Sequence, residues 1–173
     1  DALLPDSDAG WERLTSIAEA RDLAPLLYFQ TRRCRWDLPS VVTRALAHAY
    51  YAAAARHAVL THAVGQVLTA IRDAGLSTVV LKGVALAETV YPSPASRPMS
   101  DVDLLVRPDR LRATDRVLTD LGYRAVDGRV EDIDVTRSTS LSTLDYRTPD
   151  PLAPPIHLHW HLVNTSIPTE AYR

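Results

Sequence analysis

Two stretches, Leu81-Lys82-Gly83 and Arg97-Pro98-Met99-Ser100-Asp101-Val102-Asp103-Leu104-Leu105-Val106, decide the fold of this chain. The second stretch sets two acids one residue apart at the start of an apolar run. Because successive side chains of a strand point to opposite faces, Asp101 and Asp103 point the same way when 102–106 is a strand. Two carboxylates that close repel each other unless a cation lies between them. The pair therefore predicts a site for a divalent metal ion.

The first stretch predicts a turn that binds phosphate. An apolar strand over 78–81 runs into Lys82 and Gly83 and then into a helix, so an ammonium group and backbone N–H groups face one region. Gly83 lets phosphate oxygens approach the backbone, and Lys82 needs only to supply a point charge. A surface lysine and a helix-start glycine are the ordinary interpretations of each residue alone. Beside two oxygen ligands for Mg²⁺, the turn indicates chemistry on a nucleoside triphosphate.

Arg97 is a further candidate because it precedes the acid pair by a few residues. It either pairs with Asp101 or Asp103 and stabilises the site without a metal, or holds a phosphate in a fork geometry. Acids at the end of a strand are often only solvated edge residues. Two acids that enter an apolar strand are costly without a compensating cation, however, and either a metal ion or a salt bridge has to supply it.

Composition and charge narrow the class of protein. The chain has 173 residues, 46% of them apolar and 23% charged, which suits one globular domain with or without a helical appendage. The net charge of −2 argues against a broad basic surface for nucleic acid but leaves room for a local patch at Arg32, Arg33 and Arg35. A single cysteine, Cys34, excludes an internal disulfide and fits a reducing compartment.

The sequence also bears on location and completeness. No apolar run approaches the roughly 20 residues of a membrane helix, and no signal peptide is visible. We therefore expect a cytoplasmic protein without a membrane partner. The chain begins without methionine and stops just after the helix-start pattern Pro168-Thr169-Glu170, so we expect it to be part of a longer protein.

The period of the apolar residues changes near residue 75. Residues 1–75 predict a helical N-terminal portion, and residues 76–173 predict a core sheet. The predicted helices cover 11–20, 23–33, 39–73, 84–91 and 108–121. The predicted strands cover 78–81, 102–106, 123–126, 139–146 and 155–162. The fold class is therefore α+β (mixed α/β), with a helical N-terminal portion packed on a small mixed sheet.

A histidine cluster lies on the last predicted strand, at His157, His159 and His161. On a strand the three side chains share one face, while Leu158 and Trp160 occupy the other. Alternating histidines can bind zinc. They can also be polar residues on the wet face of an edge strand, and for the set as a whole this interpretation is slightly favoured.

The chain resembles the uncharacterised nucleotidyltransferase family of the polymerase-β-like superfamily over about residues 60–165. It is similar also to the toxin-type nucleotidyltransferases of abortive-infection systems, which share a Lys-Gly turn before an Arg-x-x-x-Asp-x-Asp block. The matching residues are Leu81-Lys82-Gly83-Val84-Ala85-Leu86-Ala87, Tyr91-Pro92, Arg97 to Val106, Leu121-Gly122-Tyr123 and Leu158-His159-Trp160.

The resemblance implies an activity. Asp101 and Asp103 would hold Mg²⁺ (or Mn²⁺) under the triphosphate, Lys82 and the Gly83 backbone would hold the phosphates, and Ser100 would hydrogen-bond one of them. The enzyme would move a nucleoside monophosphate from an NTP to an unknown acceptor (an RNA end, a protein or a small molecule) and release pyrophosphate.

The chain departs from the family pattern at the third catalytic position. An acid often precedes the Leu-His-Trp triplet in this family, and here that residue is His157. A neutral histidine can ligate a metal or act as a base, but it adds no negative charge. Asp145 on the preceding predicted strand could substitute if its register suits. The expected catalytic set is therefore Asp101, Asp103 and His157, with Asp145 as the alternative third member.

The chain departs from the pattern of its relatives in two further ways. Classical superfamily members carry Gly-Ser where this chain has Lys82-Gly83, and family members generally extend beyond residue 173.

The altered third position leaves open a catalytically impaired nucleotide-binding or protein-interaction module of the same fold. A zinc hydrolase built on His157 and His159 is the weakest alternative.

Overall fold

The computed structural model describes residue 5 and residues 7–126, 128–133 and 142–161. Among these, the residues up to Ala58 together with Leu86–Met99 form one compact unit, which we refer to as the helical unit. Val59–Ala85 and the residues from Ser100 onward form a second, the sheet unit. The boundary expected at residues 75/76 follows the change in apolar period, and it stays a prediction.

Three helices form the first part of the chain, as predicted. They are α1 (Asp8–Ala20), α2 (Ala24–Cys34) and α3 (Ser40–Asp73). Ser7 caps α1, since its hydroxyl accepts a hydrogen bond from the backbone N–H of Gly10 at 3.3 Å. Pro25 lies in the first turn of α2, where a backbone N–H would have no helical partner. The buried core of the helical unit consists of Trp11, Ala18, Ala24, Val42 and Leu46.

Helix α3 buries one stripe of side chains at steps of three, four and seven residues, which confirms its predicted helical period. The buried members of the stripe are Val42, Leu46, Ala53, Leu60, Val64, Val67 and Ile71. Gly75 ends the helix with a φ of 71°, a left-handed conformation that glycine adopts without steric cost. Although α3 has 34 residues, no helix of the described part of the chain is long and apolar enough to cross a membrane.

The sheet unit is built on a five-stranded mixed sheet. Its strands are β1 (Thr78–Leu81), β2 (Val102–Val106), β3 (Arg124–Ala125), β4 (Thr143–Arg147) and β5 (Ile156–His159). The order across the sheet is β1-β2-β5-β4-β3. The central pair, β2 and β5, is parallel, and the other neighbouring pairs are antiparallel. With the helical first part of the chain, this sheet confirms the α+β fold class.

Element bounds differ from the prediction at a few positions. Helix α4 (Lys82–Thr89) begins directly after β1, two residues before the expected start. A 3₁₀ turn at Pro108–Arg110 precedes α5 (Leu111–Asp120), which ends before Gly122. Strand β5 ends at His159. The prediction that His161 belongs to this strand is therefore wrong. Of the strand predicted over 139–146, residues 139–141 lie outside the described residues.

Strand register builds two rows across the sheet. Asp103 on β2 lies opposite His157 on β5, and His157 lies opposite Asp145 on β4. Residues directly opposite each other point to the same face, so these three side chains form a polar row. The next register position carries a row of fully buried leucines on the other face: Leu104, Leu158 and Leu144.

Tyr146, the residue after Asp145, ties β4 to α5. Its ring is fully buried, and its hydroxyl donates a hydrogen bond to Asp115 Oδ1 at 2.7 Å. Because a buried tyrosine needs a partner for its hydroxyl, this contact helps to fix the strand that carries Asp145.

We expect Tyr146→Phe to lower the free energy of unfolding by about 1.5–3 kcal/mol, the range for a hydrogen bond to a charged group. Urea unfolding followed by circular dichroism measures the change. Tyr123→Phe is the matched control, because Tyr123 is also buried but its hydroxyl makes no hydrogen bond within the described residues. Equal losses in the two variants would contradict the role of the Tyr146 hydroxyl.

Candidate active site

The acid pair lies where the sequence predicted it, at the start of β2. Asp101 immediately precedes the strand and Asp103 is its second residue. Their carboxylates and the His157 ring each offer one ligand atom, and these atoms lie within 4.8 Å of one another. The side chain of Asp101 is 40% exposed and that of Asp103 only 6%. The site is therefore open on the Asp101 side and closed beneath Asp103.

Asp103 lies among three side chains that bear nitrogen atoms. Its Oδ1 accepts a hydrogen bond from Lys82 Nζ at 2.7 Å and lies 2.8 Å from His159 Nε2. His157 Nδ1 is 3.7 Å from the same oxygen. The buried carboxylate thus has the compensating partners that its burial requires.

The partners of Asp103 also set its protonation state. Burial alone raises the pKa of a carboxyl group, because the charged form loses water. At Asp103 the hydrogen bonds and positive charges of Lys82 and His159 outweigh that effect, so the pKa of Asp103 lies below its usual value. Asp103 is therefore ionised at neutral pH and available as an oxygen ligand.

His157 bridges the acid pair and Asp145. Its Nδ1 lies 3.3 Å from Asp101 Oδ2, and its Nε2 lies 3.6 Å from Asp145 Oδ1. The register that aligns Asp103, His157 and Asp145 produces this arrangement. One ring nitrogen thus faces the candidate metal ligands, and the other faces a carboxylate on the far side.

Lys82 reaches Asp103 from a strained backbone position. Its φ of 47° lies in the left-handed region, which non-glycine residues adopt at a cost of order 1 kcal/mol. The side chain stays 61% exposed although its ammonium contacts Asp103. Gly83 follows in the first turn of α4. The turn therefore holds a lysine whose ammonium group contacts Asp103 while most of the side chain remains in solvent.

Two predicted phosphate-binding residues remain, Ser100 and Arg97. Ser100 is exposed directly before Asp101. Arg97 belongs to the helical unit, where its guanidinium carbon lies 5.8 Å from the centre of the Tyr91 ring. Its Nε is buried and has no hydrogen-bond partner among the described residues. The phosphate-binding roles of Arg97 and Ser100 stay predictions.

His159 is the site residue that the sequence prediction missed. The alternation of His157, Leu158, His159 and Trp160 indicated a polar face, and the structure confirms that Leu158 and Trp160 are buried on the other face. The alternation gave no sign that His159 contacts Asp103. The signal lies in the pairing of β5 with β2, which local sequence does not reveal.

The ligand types of the cluster fit a divalent cation. Carboxylate oxygens suit Mg²⁺ and Mn²⁺, and an imidazole nitrogen suits transition metals better than Mg²⁺. The described cluster combines two carboxylates with one histidine, so it differs from the histidine-rich zinc site considered above. Of the histidines, His159 is directed at Asp103 instead of joining His157 as a ligand.

We expect Asp103→Asn to lower the free energy of unfolding of metal-free protein at neutral pH by about 1.5–3 kcal/mol, because a charged acceptor is lost. The pKa of Asp103 is depressed in the folded state. Its stabilising contribution is therefore complete above the unfolded value of about 4 and is lost as pH falls through the lower folded-state pKa.

The difference in the free energy of unfolding between wild type and Asp103→Asn should therefore become smaller as the pH falls below about 4. Urea unfolding in EDTA across a pH series measures it. Asp109→Asn, which changes an exposed acid paired with Arg107, is the control. A difference that stays constant with pH would contradict the assigned ionisation of Asp103.

Comparison with known proteins places the chain in a family. The sequence model of a family described as uncharacterised nucleotidyltransferase matches residues 7–172. No curated protein and no solved structure matches the chain. The family match spans the Lys-Gly turn, the acid pair and the histidine strand, whose geometry is described above. The chain therefore belongs to the uncharacterised nucleotidyltransferase family, as the resemblance predicted.

Proposed function

We propose that this protein is a metal-dependent nucleotidyltransferase that moves a nucleoside monophosphate from an NTP to an acceptor. The observation that carries the proposal is the convergence of ligand atoms from Asp101, Asp103 and His157 within 4.8 Å. Membership of the nucleotidyltransferase family supports the same activity. The acceptor is an RNA end, a protein or a small molecule.

The proposed ligands of the cation are Asp101, Asp103 and His157. A Mg²⁺ or Mn²⁺ ion bound there would neutralise charge on the triphosphate and orient its α-phosphate. Because one of the three ligands is an imidazole, Mn²⁺ should bind at lower concentration than Mg²⁺.

Phosphate binding is assigned to the Lys-Gly turn and its neighbours. The exposed side chain of Lys82 can move from Asp103 to a phosphate oxygen while keeping its charge in the site. Gly83 offers a backbone N–H in the first turn of α4, and the hydroxyl of Ser100 is exposed. A phosphate-binding role for Arg97, whose Nε is buried without a described partner, stays a prediction.

The transfer itself is an in-line displacement at the α-phosphorus. The acceptor hydroxyl gives up its proton to water, and its oxygen forms a bond to the α-phosphorus. The bond from that phosphorus to the oxygen bridging to the β-phosphate breaks, and pyrophosphate leaves with the electron pair. Lys82, whose ammonium group lies beside Asp103, would stabilise the charge that develops on the leaving phosphates.

His157 is proposed as the third ligand, oriented by Asp145. A proton on Nε2 facing Asp145 leaves the lone pair of Nδ1 directed towards the acid pair. Carboxylates behind ligating histidines fix the tautomer and the ring orientation in this way. His157 Nε2 lies 3.6 Å from Asp145 Oδ1, which is longer than a hydrogen bond, so the proposed role requires the two groups to move slightly closer. Asp145 then supports the site from behind and does not replace His157.

We also propose a cytoplasmic location. The single cysteine, Cys34, is an exposed free thiol, and such a thiol persists best in a reducing compartment.

We expect Asp101→Asn and Asp103→Asn each to weaken binding of Mn²⁺ with a non-hydrolysable NTP by about 100-fold or more, since each removes one charged ligand of the cation. Isothermal titration calorimetry measures binding, and release of labelled pyrophosphate from each of the four NTPs measures turnover. Asp109→Asn is the control, because Asp109 is exposed and lies beyond the other end of β2. Binding unchanged by both site substitutions would overturn the proposed metal site.

We expect Asp145→Asn to weaken Mn²⁺ binding by about 10- to 100-fold, the usual cost of losing the partner behind a ligating histidine. His157→Asp should shift the preference from Mn²⁺ towards Mg²⁺, because it creates an all-oxygen ligand set. Electron paramagnetic resonance of bound Mn²⁺, with Mg²⁺ competition, reports both effects. Asp120→Asn at the exposed end of α5 is the control. An Asp145→Asn variant with unaltered Mn²⁺ affinity would refute the supporting role.

A second function is favoured by one observation. Lys82 and His159 compensate Asp103 at 2.7 and 2.8 Å without any metal, and residue 157 is not an acid. The same fold would then bind nucleotide, or a protein partner, without transfer. Mg²⁺·NTP binding without pyrophosphate release for any of the four NTPs, and without gain of turnover in His157→Asp, would favour this module over the enzyme.

A further inference from the structure

Three tyrosine rings meet on the surface of the helical unit. Tyr28 on α2 lies 5.1 Å from Tyr50 and 6.1 Å from Tyr51 on α3, measured between ring centres. Tyr50 and Tyr51 are 5.5 Å apart in an edge-to-face arrangement. The hydroxyl of Tyr50 is hydrogen-bonded to Ser93 Oγ at 2.8 Å. Tyr51 is 63% exposed, so an aromatic ring backed by two others faces solvent.

Arginines flank these rings, and acids are almost absent from the same segment. Residues 23–58 contain five arginines and one acid, Asp37. Arg32 lies one helical turn after Tyr28 on the same face of α2. Burial and a hydrogen bond to Tyr51 raise the pKa of Tyr28, and the nearby charge of Arg32 opposes the rise. The pair therefore presents a neutral phenol beside a guanidinium.

Helix α3 continues the same pattern. Arg44, His48 and Tyr51 follow at steps of four and three residues, so they share one face of the helix. All three are exposed. We refer to Tyr28, Arg32, Arg44, His48 and Tyr51 as the tyrosine–arginine face. It presents the exposed ring of Tyr51 for stacking, and it carries an arginine on each of the two helices.

We propose that the tyrosine–arginine face binds single-stranded RNA. Bases of an unpaired strand stack on exposed aromatic rings regardless of sequence, and arginines neutralise the phosphates between them. Tyr51 supplies the stacking ring, and Arg32 and Arg44 supply the phosphate contacts. The face belongs to the helical unit, whereas the acid pair belongs to the sheet unit. The proposal therefore stands independently of nucleotide transfer.

The residue types favour RNA over other occupants. An acidic peptide would pair with the arginines but would leave the stacked rings without a planar partner. Duplex nucleic acid keeps its bases inside the helix and offers none to Tyr51. Among single strands, RNA carries a 2′-hydroxyl that deoxyribose lacks, and this group can hydrogen-bond to the exposed His48.

Fluorescence anisotropy with a labelled oligouridylate and the whole chain tests the proposal. Tyr51→Ala should weaken binding by about 5- to 150-fold, the range for loss of one stacked base. Tyr51→Phe keeps the ring and should retain most of the affinity. Arg44→Gln should reduce the slope of log affinity against log salt by about 0.7, the value for one phosphate contact on a single strand.

Controls separate this site from general charge attraction. Arg72→Gln removes an exposed arginine outside the face and should leave oligouridylate binding unchanged. Single-stranded DNA of matching length and polyglutamate should bind more weakly than RNA. Absence of RNA binding, equal affinity for DNA or polyglutamate, or an unaltered affinity in Tyr51→Ala would each overturn the proposal.

Discussion

The burial of one carboxylate governs the arrangement of the whole site. Asp103 is 6% exposed inside β2, and an unpaired charge at such a position costs several kcal/mol. Lys82 at 2.7 Å and His159 at 2.8 Å compensate it. The first contact requires β1 to end where a lysine can turn back, and the second requires β5 to lie beside β2. A local electrostatic demand thus constrains the order of three strands.

The same register serves the apolar core and the polar row. Leu104, Leu158 and Leu144 are opposite one another and fully buried. A slip of one residue would carry these leucines to the polar face and bring the charged row into the core. Hydrophobic packing beneath the sheet therefore holds Asp103, His157 and Asp145 in line. No hydrogen bond within the polar row is needed to select that register.

Features of the site that depend on local spacing could be predicted from the sequence. The shared direction of Asp101 and Asp103 follows from the period of two, and the turn at Lys82 follows from the change of strand to helix. The contact of His159 with Asp103 could not be predicted, because 56 residues separate the two and only strand pairing joins them. Asp145 was only the alternative third member of the catalytic set, conditional on its register, and the pairing that puts it opposite His157 could likewise not be predicted. Pairing between strands that lie far apart in the sequence leaves no local sequence pattern.

The dual use of Lys82 has a consequence if the chain transfers nucleotides. Without nucleotide, its ammonium compensates Asp103, so a cation arriving alone meets a carboxylate that is already neutralised. The phosphate oxygens of a bound nucleotide would carry more negative charge and would attract the exposed lysine away. Asp103 would then lose one compensating partner and gain affinity for a cation. Since coupling between two ligands is reciprocal, metal and nucleotide would then each strengthen the binding of the other, and such a site would be better suited to a metal–nucleotide complex than to either part alone.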